Sequence, residues 1–231
     1  HAPLTQQNPV LLRAWLHFCV LAEPGHELAA WYPNLTDDHR SADDAELASV
    51  LAEFVDERVP TLLDLLSNRR TQTNEIGRCG FLLPAMSVVE SDRDEPLVHV
   101  AVGTSAGLSL LLPHLAYDSR SDAGAPLAGI GAGRIAREVG LRGDGPAPSG
   151  IPRIAASVGL DSHALDATDP SDARWLEACC WPDQADRFHR LRAAIELFAE
   201  HRPPVVTGDA VDDAATVLEQ HADNMTTVLT T

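Results

Sequence analysis

The run Leu97-Val98-His99-Val100-Ala101-Val102 passes directly into Gly103-Thr104-Ser105-Ala106-Gly107 and then into an apolar stretch from Leu108 to about Leu115. A β-branched-rich strand, a glycine-bounded turn and a helix in immediate succession constrain the fold more than any other part of the chain. A strand that hands over to a helix this abruptly belongs to a parallel sheet, because parallel strands need a crossover to bring the chain back. Three further runs fit the same sheet. Ile151 to Leu160 is the second strand candidate, ending at Asp161. Val205 to Thr207 is the third, ending at Gly208-Asp209, and Met225 to Thr230 is the last. Helical patterns separate them, at Ser171–Cys180, at Asp183–His201 and in the stretch ending near His221. The fold class is therefore α/β, with helices on both faces of a parallel sheet.

The chain ahead of this sheet reads differently. Asn8-Pro9 opens a helix that runs to Ala22 and stops at Pro24-Gly25. Ser41 with Asp44 has the form of a capping box. Behind it Leu47, Val50, Leu51, Phe54 and Val55 recur at helical spacing. Pro60 suits the first turn of a short helix ending near Asn68, and Thr73 or Asn74 is positioned to cap another that reaches about Glu90. The expected organisation is a helical N-terminal extension, residues 1–72, and an α/β domain, residues 73–231. Within that domain the Gly-, Pro- and Ala-rich stretch 119–150 reads as a flexible surface insertion.

Charge narrows the partners. Acidic residues outnumber basic ones 34 to 17, for a formal net charge of −17. Such a surface repels phosphate backbones and anionic headgroups, so neither nucleic acid nor a membrane is expected as a partner. The stretch Val10 to Ala22 carries Arg13 and His17 and is too short to span a bilayer. Cys19, Cys79, Cys179 and Cys180 form no C-x-x-C pair, which argues against a metal site and for buried thiols in a reducing, cytoplasmic setting. The first residue is His1 rather than Met, so the numbering is expected to begin inside a longer gene product.

Parallel sheets bind ligands beyond the carboxyl ends of their strands. Three such ends carry informative residues. Gly103, Thr104, Ser105 and Gly107 form a loop whose backbone N–H groups can approach a ligand closely, with the following helix N-terminus adding partial positive charge. Asp161 can accept hydrogen bonds from a ribose diol, and Asp209 can sit beside an adenine. That layout suits S-adenosylmethionine or a dinucleotide; the alternative is a tight turn with Asp161 and Asp209 serving as helix caps. The same five residues also match G-x-S-x-G, the nucleophile elbow of α/β-hydrolases, with Ser105 as nucleophile and His221 as a possible partner. Gly129-Ile130-Gly131-Ala132-Gly133 has no strand before it and reads as a loop. In the polar string Arg70 to Arg78, the side chains of Asn74, Glu75 and Arg78 are candidates to reach over a ligand mouth. Trp181-Pro182-Asp183-Gln184 reads as a helix break with a cap.

Several blocks together carry a resemblance. They are Trp31-Tyr32-Pro33-Asn34-Leu35, Arg70 to Arg78, Gly103 to Leu108, Gly159-Leu160-Asp161, Trp175-Leu176, Trp181 to Gln184 and Gly208-Asp209-Ala210. In order and rough spacing they resemble an uncharacterised, largely actinobacterial family that carries a domain-of-unknown-function label. The resemblance runs from about Asn8 to Thr231. It implies a Rossmann-like fold of the class I methyltransferase type with a helical extension, binding S-adenosylmethionine and acting on a small molecule. A non-catalytic binding protein on a decayed version of that fold is the alternative. The chain departs from the family's pattern at Ala101, where an acid that orients the cofactor in methyltransferases is usual, and at Ser109, where Asn is usual. Methyltransferases of this class have about seven strands, so four candidates imply that the C-terminal strands are missing.

Overall fold

The structure is a computed structural model and describes residues 9–121, 124–140, 148–221 and 225–231. In chain order the elements are α1 (Pro9–Ala22), α2 (Leu47–Glu57), α3 (Val59–Asn68), α4 (Cys79–Arg93), β1 (Leu97–Val102), β2 (Ala116–Arg120), β3 (Pro126–Ile130), β4 (Ala136–Gly140), β5 (Ile154–Asp161), α5 (Pro170–Ala178), α6 (Ala185–His201), β6 (Val205–Thr207), α7 (Ala214–His221) and β7 (Thr227–Thr230). Short 3-10 helices lie at Glu27–Trp31, Ile76–Arg78 and Leu108–His114. Two compact units result. One is His1–Thr73 with Ala167–Arg192, and the other is Asn74–Asp166 with Ala193–Thr231.

The first unit is helical. It takes in α5 and the first part of α6, which the sequence had suggested would stay with the sheet. The reason is aromatic packing: α1 packs on α5, and Trp15, Trp175 and Phe188 are among the largest fully buried side chains. Burying a side chain of that size contributes roughly 2–3 kcal/mol each. The Trp175 indole N–H donates to the Arg70 carbonyl at 2.8 Å, and Arg69 pairs with Asp172 at 2.5 Å. The expected capping box at Ser41 and Asp44 does not start a helix. Ser41 Oγ accepts from the Asp43 N–H and Asp44 Oδ1 from the Glu46 N–H, closing two turns before α2 begins at Leu47.

The second unit is built on four parallel strands in the spatial order β6-β5-β1-β7. Numbered by chain order among themselves, they lie 3-2-1-4. These are the four runs read from the sequence. The central strand β1 is buried on both faces, as parallel sheets require. Val98 and Val100 join Val158, Leu160 and Val217 in one core cluster, with Ala214 and Leu218 of α7 packed against it.

Three further strands form a second sheet, ordered β3-β2-β4, with β2 antiparallel to β3 and parallel to β4. The end of β2 and all of β3 and β4 fall within the stretch expected as a flexible insertion, so part of it is ordered sheet; its residues 122–123 and 141–147 lie outside the described residues. Tyr117 and Ser119 are buried while Asp118 faces out, a period-2 alternation that the Gly and Ala content obscures. The run Gly129–Gly133, expected as a loop, closes β3 and then presses on the neighbouring backbone. A Cβ at Gly133 would overlap the His114 carbonyl, so this glycine is needed for packing.

Candidate functional site

Parallel pairing puts the ends of β1, β5 and β6 on one edge of the sheet, so the glycine loop, Asp161 and Asp209 all emerge at the carboxyl edge. Gly103 and Gly107 have φ of +68° and +75°, and Ser105 has φ of +57°, which is uncommon for a residue with a Cβ. The Gly103 N–H extends the ladder to the Leu160 carbonyl at 2.8 Å, and the Gly107 N–H closes on the Thr104 carbonyl at 2.9 Å. Gly107 cannot be replaced cheaply, since a Cβ there would stand 2.5 Å from Val205 Cγ2. At Gly103 the same construction meets nothing within 4 Å, so the loop opens onto free space there.

Asp161 holds this loop. Its Oδ2 accepts the Ser105 N–H at 2.6 Å and its Oδ1 accepts the His163 N–H at 2.8 Å. A carboxylate has about four lone-pair sites, so each oxygen keeps acceptor capacity. Asn74 Nδ2 reaches the Thr104 carbonyl at 3.5 Å, and Thr104 Oγ1 and Ser109 Oγ lie 3.5 Å apart. Of the residues singled out in the sequence, Gly103, Thr104, Ser105, Gly107, Asp161 and Asn74 thus come together.

The remaining three are placed as follows. Glu75 caps its own turn by accepting the Gly77 N–H at 2.8 Å, which makes it the cap expected at Thr73 or Asn74. Arg78 is exposed. Asp209 is exposed and folded into a turn, its Oδ1 accepting the Val211 N–H at 2.7 Å while its own N–H donates to Asp213 Oδ2 at 2.7 Å. The segment after the loop is a seven-residue 3-10 helix rather than an α-helix. The expected macrodipole is therefore small.

The pairing of Ser105 with His221 also fails. α7 leaves the carboxyl end of β6, packs on β5 and β1, and returns to the start of β7. Its last residue, His221, therefore lies towards the amino edge, whereas Ser105 follows the carboxyl end of β1. Ser105 is 5% exposed.

Two buried histidines gave no signal in the sequence. His99 lies in the centre of β1, with Nε2 paired to Thr230 Oγ1 at 2.9 Å and no partner for Nδ1 among the described residues. Burial lowers its pKa to about 4. In the helical unit, His17 Nδ1 donates to the Ala178 carbonyl at 3.2 Å and Nε2 accepts from Asn34 Nδ2 at 3.1 Å. Burial takes it to about 4 as well, so it is a neutral imidazole with both nitrogens engaged.

Among the described residues no group of three or more His, Cys, Asp or Glu side chains is placed to hold a metal ion, and no helix is long and apolar enough to cross a membrane. Compared with known proteins, residues 1–231 are matched by one family model, described as an uncharacterized protein conserved in bacteria (DUF2332). No curated protein and no solved structure matches the chain.

Proposed function

The chain belongs to the DUF2332 family, and from its own geometry we propose that the carboxyl edge of the four-stranded sheet is a Rossmann-like cofactor site of the class I methyltransferase type, binding S-adenosylmethionine to act on a small molecule. The observation that carries the reading is the bond from the Ser105 N–H to Asp161 at 2.6 Å. It ties the acid ending the second parallel strand to the glycine loop ending the first, the two elements that such a cofactor needs side by side. The 3-2-1-4 strand order supports it, because doubly wound sheets reverse direction between strands 1 and 4 and bind ligands at that crevice.

The residues fit the group. The space in front of Gly103 admits a ligand against the backbone. The remaining lone pairs of Asp161 suit a ribose diol. Ala101 is buried in β1 and offers no carboxylate, so cofactor orientation falls to Asp161. When bound, the cofactor supplies an electrophilic methyl group. The chain's part is to bind and orient it while Asp161 and Gly107 hold the loop in shape.

The test is calorimetric titration of S-adenosylhomocysteine into the native chain and into Asp161→Asn. Native binding that weakens at least tenfold in the variant supports the reading. No native binding overturns it.

A further inference from the structure

The helical unit contains a cavity of about 350 Å³, bounded by α1, the 3-10 helix Glu27–Trp31 with the Tyr32-Pro33 segment after it, and the link from α5 to α6. Small-molecule sites run from roughly 300 to 1,000 Å³, so this one is sized for a compact ligand rather than a dinucleotide. Its walls are mainly apolar and aromatic, including Leu16, Trp31, Tyr32 and Trp181.

The polar atoms of the interior are already spent or uncharged. His17 has both ring nitrogens in hydrogen bonds. Burial pushes the Cys179 thiol up to about 11 and raises the Tyr32 hydroxyl, so neither ionises near neutral pH. Neither the Cys179 thiol nor the Tyr32 hydroxyl is therefore an activated nucleophile, and the chemistry these groups offer is that of binding.

Two charges remain on the lining, Arg13 and Asp183, both exposed. The Arg13 guanidinium sits over the Trp181 ring at 4.9 Å from its centroid, which leaves its N–H edge available. Neither Arg13 nor Asp183 has an ion-pair partner among the described residues. By contrast Arg40, Arg58, Arg69 and Arg192 of the same unit are all paired with carboxylates. An apolar chamber bearing one unpaired cation and one unpaired anion matches a ligand with the same three parts.

We propose that this cavity binds a free α-amino acid with a large apolar or aromatic side chain, Arg13 taking its carboxylate, Asp183 its ammonium group and the rings of Trp31, Tyr32 and Trp181 its side chain. A simple carboxylate leaves Asp183 facing an anion, and a simple amine leaves Arg13 facing a cation. The zwitterion satisfies both.

Calorimetric titration of the full chain with L-phenylalanine, 3-phenylpropanoate and phenethylamine tests this. Phenylalanine should bind about tenfold or more tightly than either singly charged analogue, the effect of one hydrogen bond between charged groups at a partly exposed site. Arg13→Gln should remove that advantage over phenethylamine, and Asp183→Asn should remove it over 3-phenylpropanoate. Both positions are exposed, so both variants keep the fold. No binding of phenylalanine, equal affinity for all three ligands, or variants without effect would overturn the proposal. S-adenosylhomocysteine also carries an amino-acid end, so it is titrated into Arg13→Gln as well. Retained binding there, with phenylalanine binding lost, keeps this site and the sheet-edge site as separate questions.

Discussion

The two units handle their polar groups in opposite ways. At the carboxyl edge of the sheet, side chains are used to hold backbone: Asp161 accepts the N–H groups of Ser105 and His163, and Asn74 donates to Thr104. The loop is shaped before any ligand arrives. In the helical unit His17 is bonded at both nitrogens, while the charges at the cavity, Arg13 and Asp183, are left without ion-pair partners among the described residues. A loop shaped in advance suits a cofactor that docks against backbone. Unpaired charges around an apolar chamber suit a ligand recognised by its own charges. A motif search finds the first arrangement and passes over the second.

The comparison can be probed one unit at a time, because Trp15, Trp31, Trp175 and Trp181 are the chain's four tryptophans and all belong to the helical unit. Tryptophan fluorescence therefore reports that unit alone, and far-ultraviolet circular dichroism reports both.

The largest expected effect is on acid stability. His17 and His99 each fall from an ordinary 6.5 to about 4 on burial. Between those values the unfolded chain binds a proton that the folded chain does not. Stability present above pH 6.5 is thus lost as pH falls towards 4, with no further loss from these groups below it. Each histidine accounts for about 3 kcal/mol. In His99→Val, the loss in the sheet unit between pH 6.5 and 4 should shrink by that amount, read by circular dichroism in urea, and the orphaned Nδ1 disappears with it. If the fluorescence transition is unchanged in that variant, the units unfold separately; if it moves equally, they unfold as one.

Next comes Gly107→Val, which forces a β-branched residue into positive φ and a Cβ onto Val205. A loss of about 3 kcal/mol is expected in denaturant titration. Gly103→Ala shares the positive φ but meets open space, so about 1–2 kcal/mol is expected there. Equal losses at the two positions would show that Gly107 is not packed as described. Asp161→Ala should cost about 2 kcal/mol, through two backbone N–H groups left without their charged acceptor. The smallest effect is a gain. Ser105→Gly removes the strain of φ +57° and should stabilise the sheet unit by up to about 1 kcal/mol. A serine nucleophile held there for catalysis would instead react with a fluorophosphonate probe, which the separation of Ser105 and His221 argues against.

The parts of the fold that could be read from residues were those where one signal dominated. β1 was bounded correctly at both ends because a β-branched run stops at a glycine, and β6 because prolines and a glycine enclose it. α3 followed from Pro60 in its first turn. The second sheet was missed because Gly, Ala and Pro weaken the alternation that Tyr117 and Ser119 do show. The membership of Ala167–Arg192 was missed because helical periodicity says which face is apolar and not which partner will cover it.

At the site, Asp161 and the glycine loop were legible, since strand ends and turn residues are local features. That Asp161 binds the Ser105 N–H was not, because it depends on the register that sets Leu160 opposite Val102. The cavity was invisible for a similar reason. Trp31 and Trp181 are distant in sequence and line one cavity only once the helical unit is packed.

The most direct test of the sheet-edge reading is thermal melting of the chain with and without S-adenosylhomocysteine, followed by circular dichroism. Ligand at about 100 times its dissociation constant should stabilise the native state by roughly 2.7 kcal/mol and raise the midpoint visibly. That rise is expected in the native chain and in Arg13→Gln, and its loss in Asp161→Asn. A native chain whose midpoint stays fixed at millimolar ligand would contradict it.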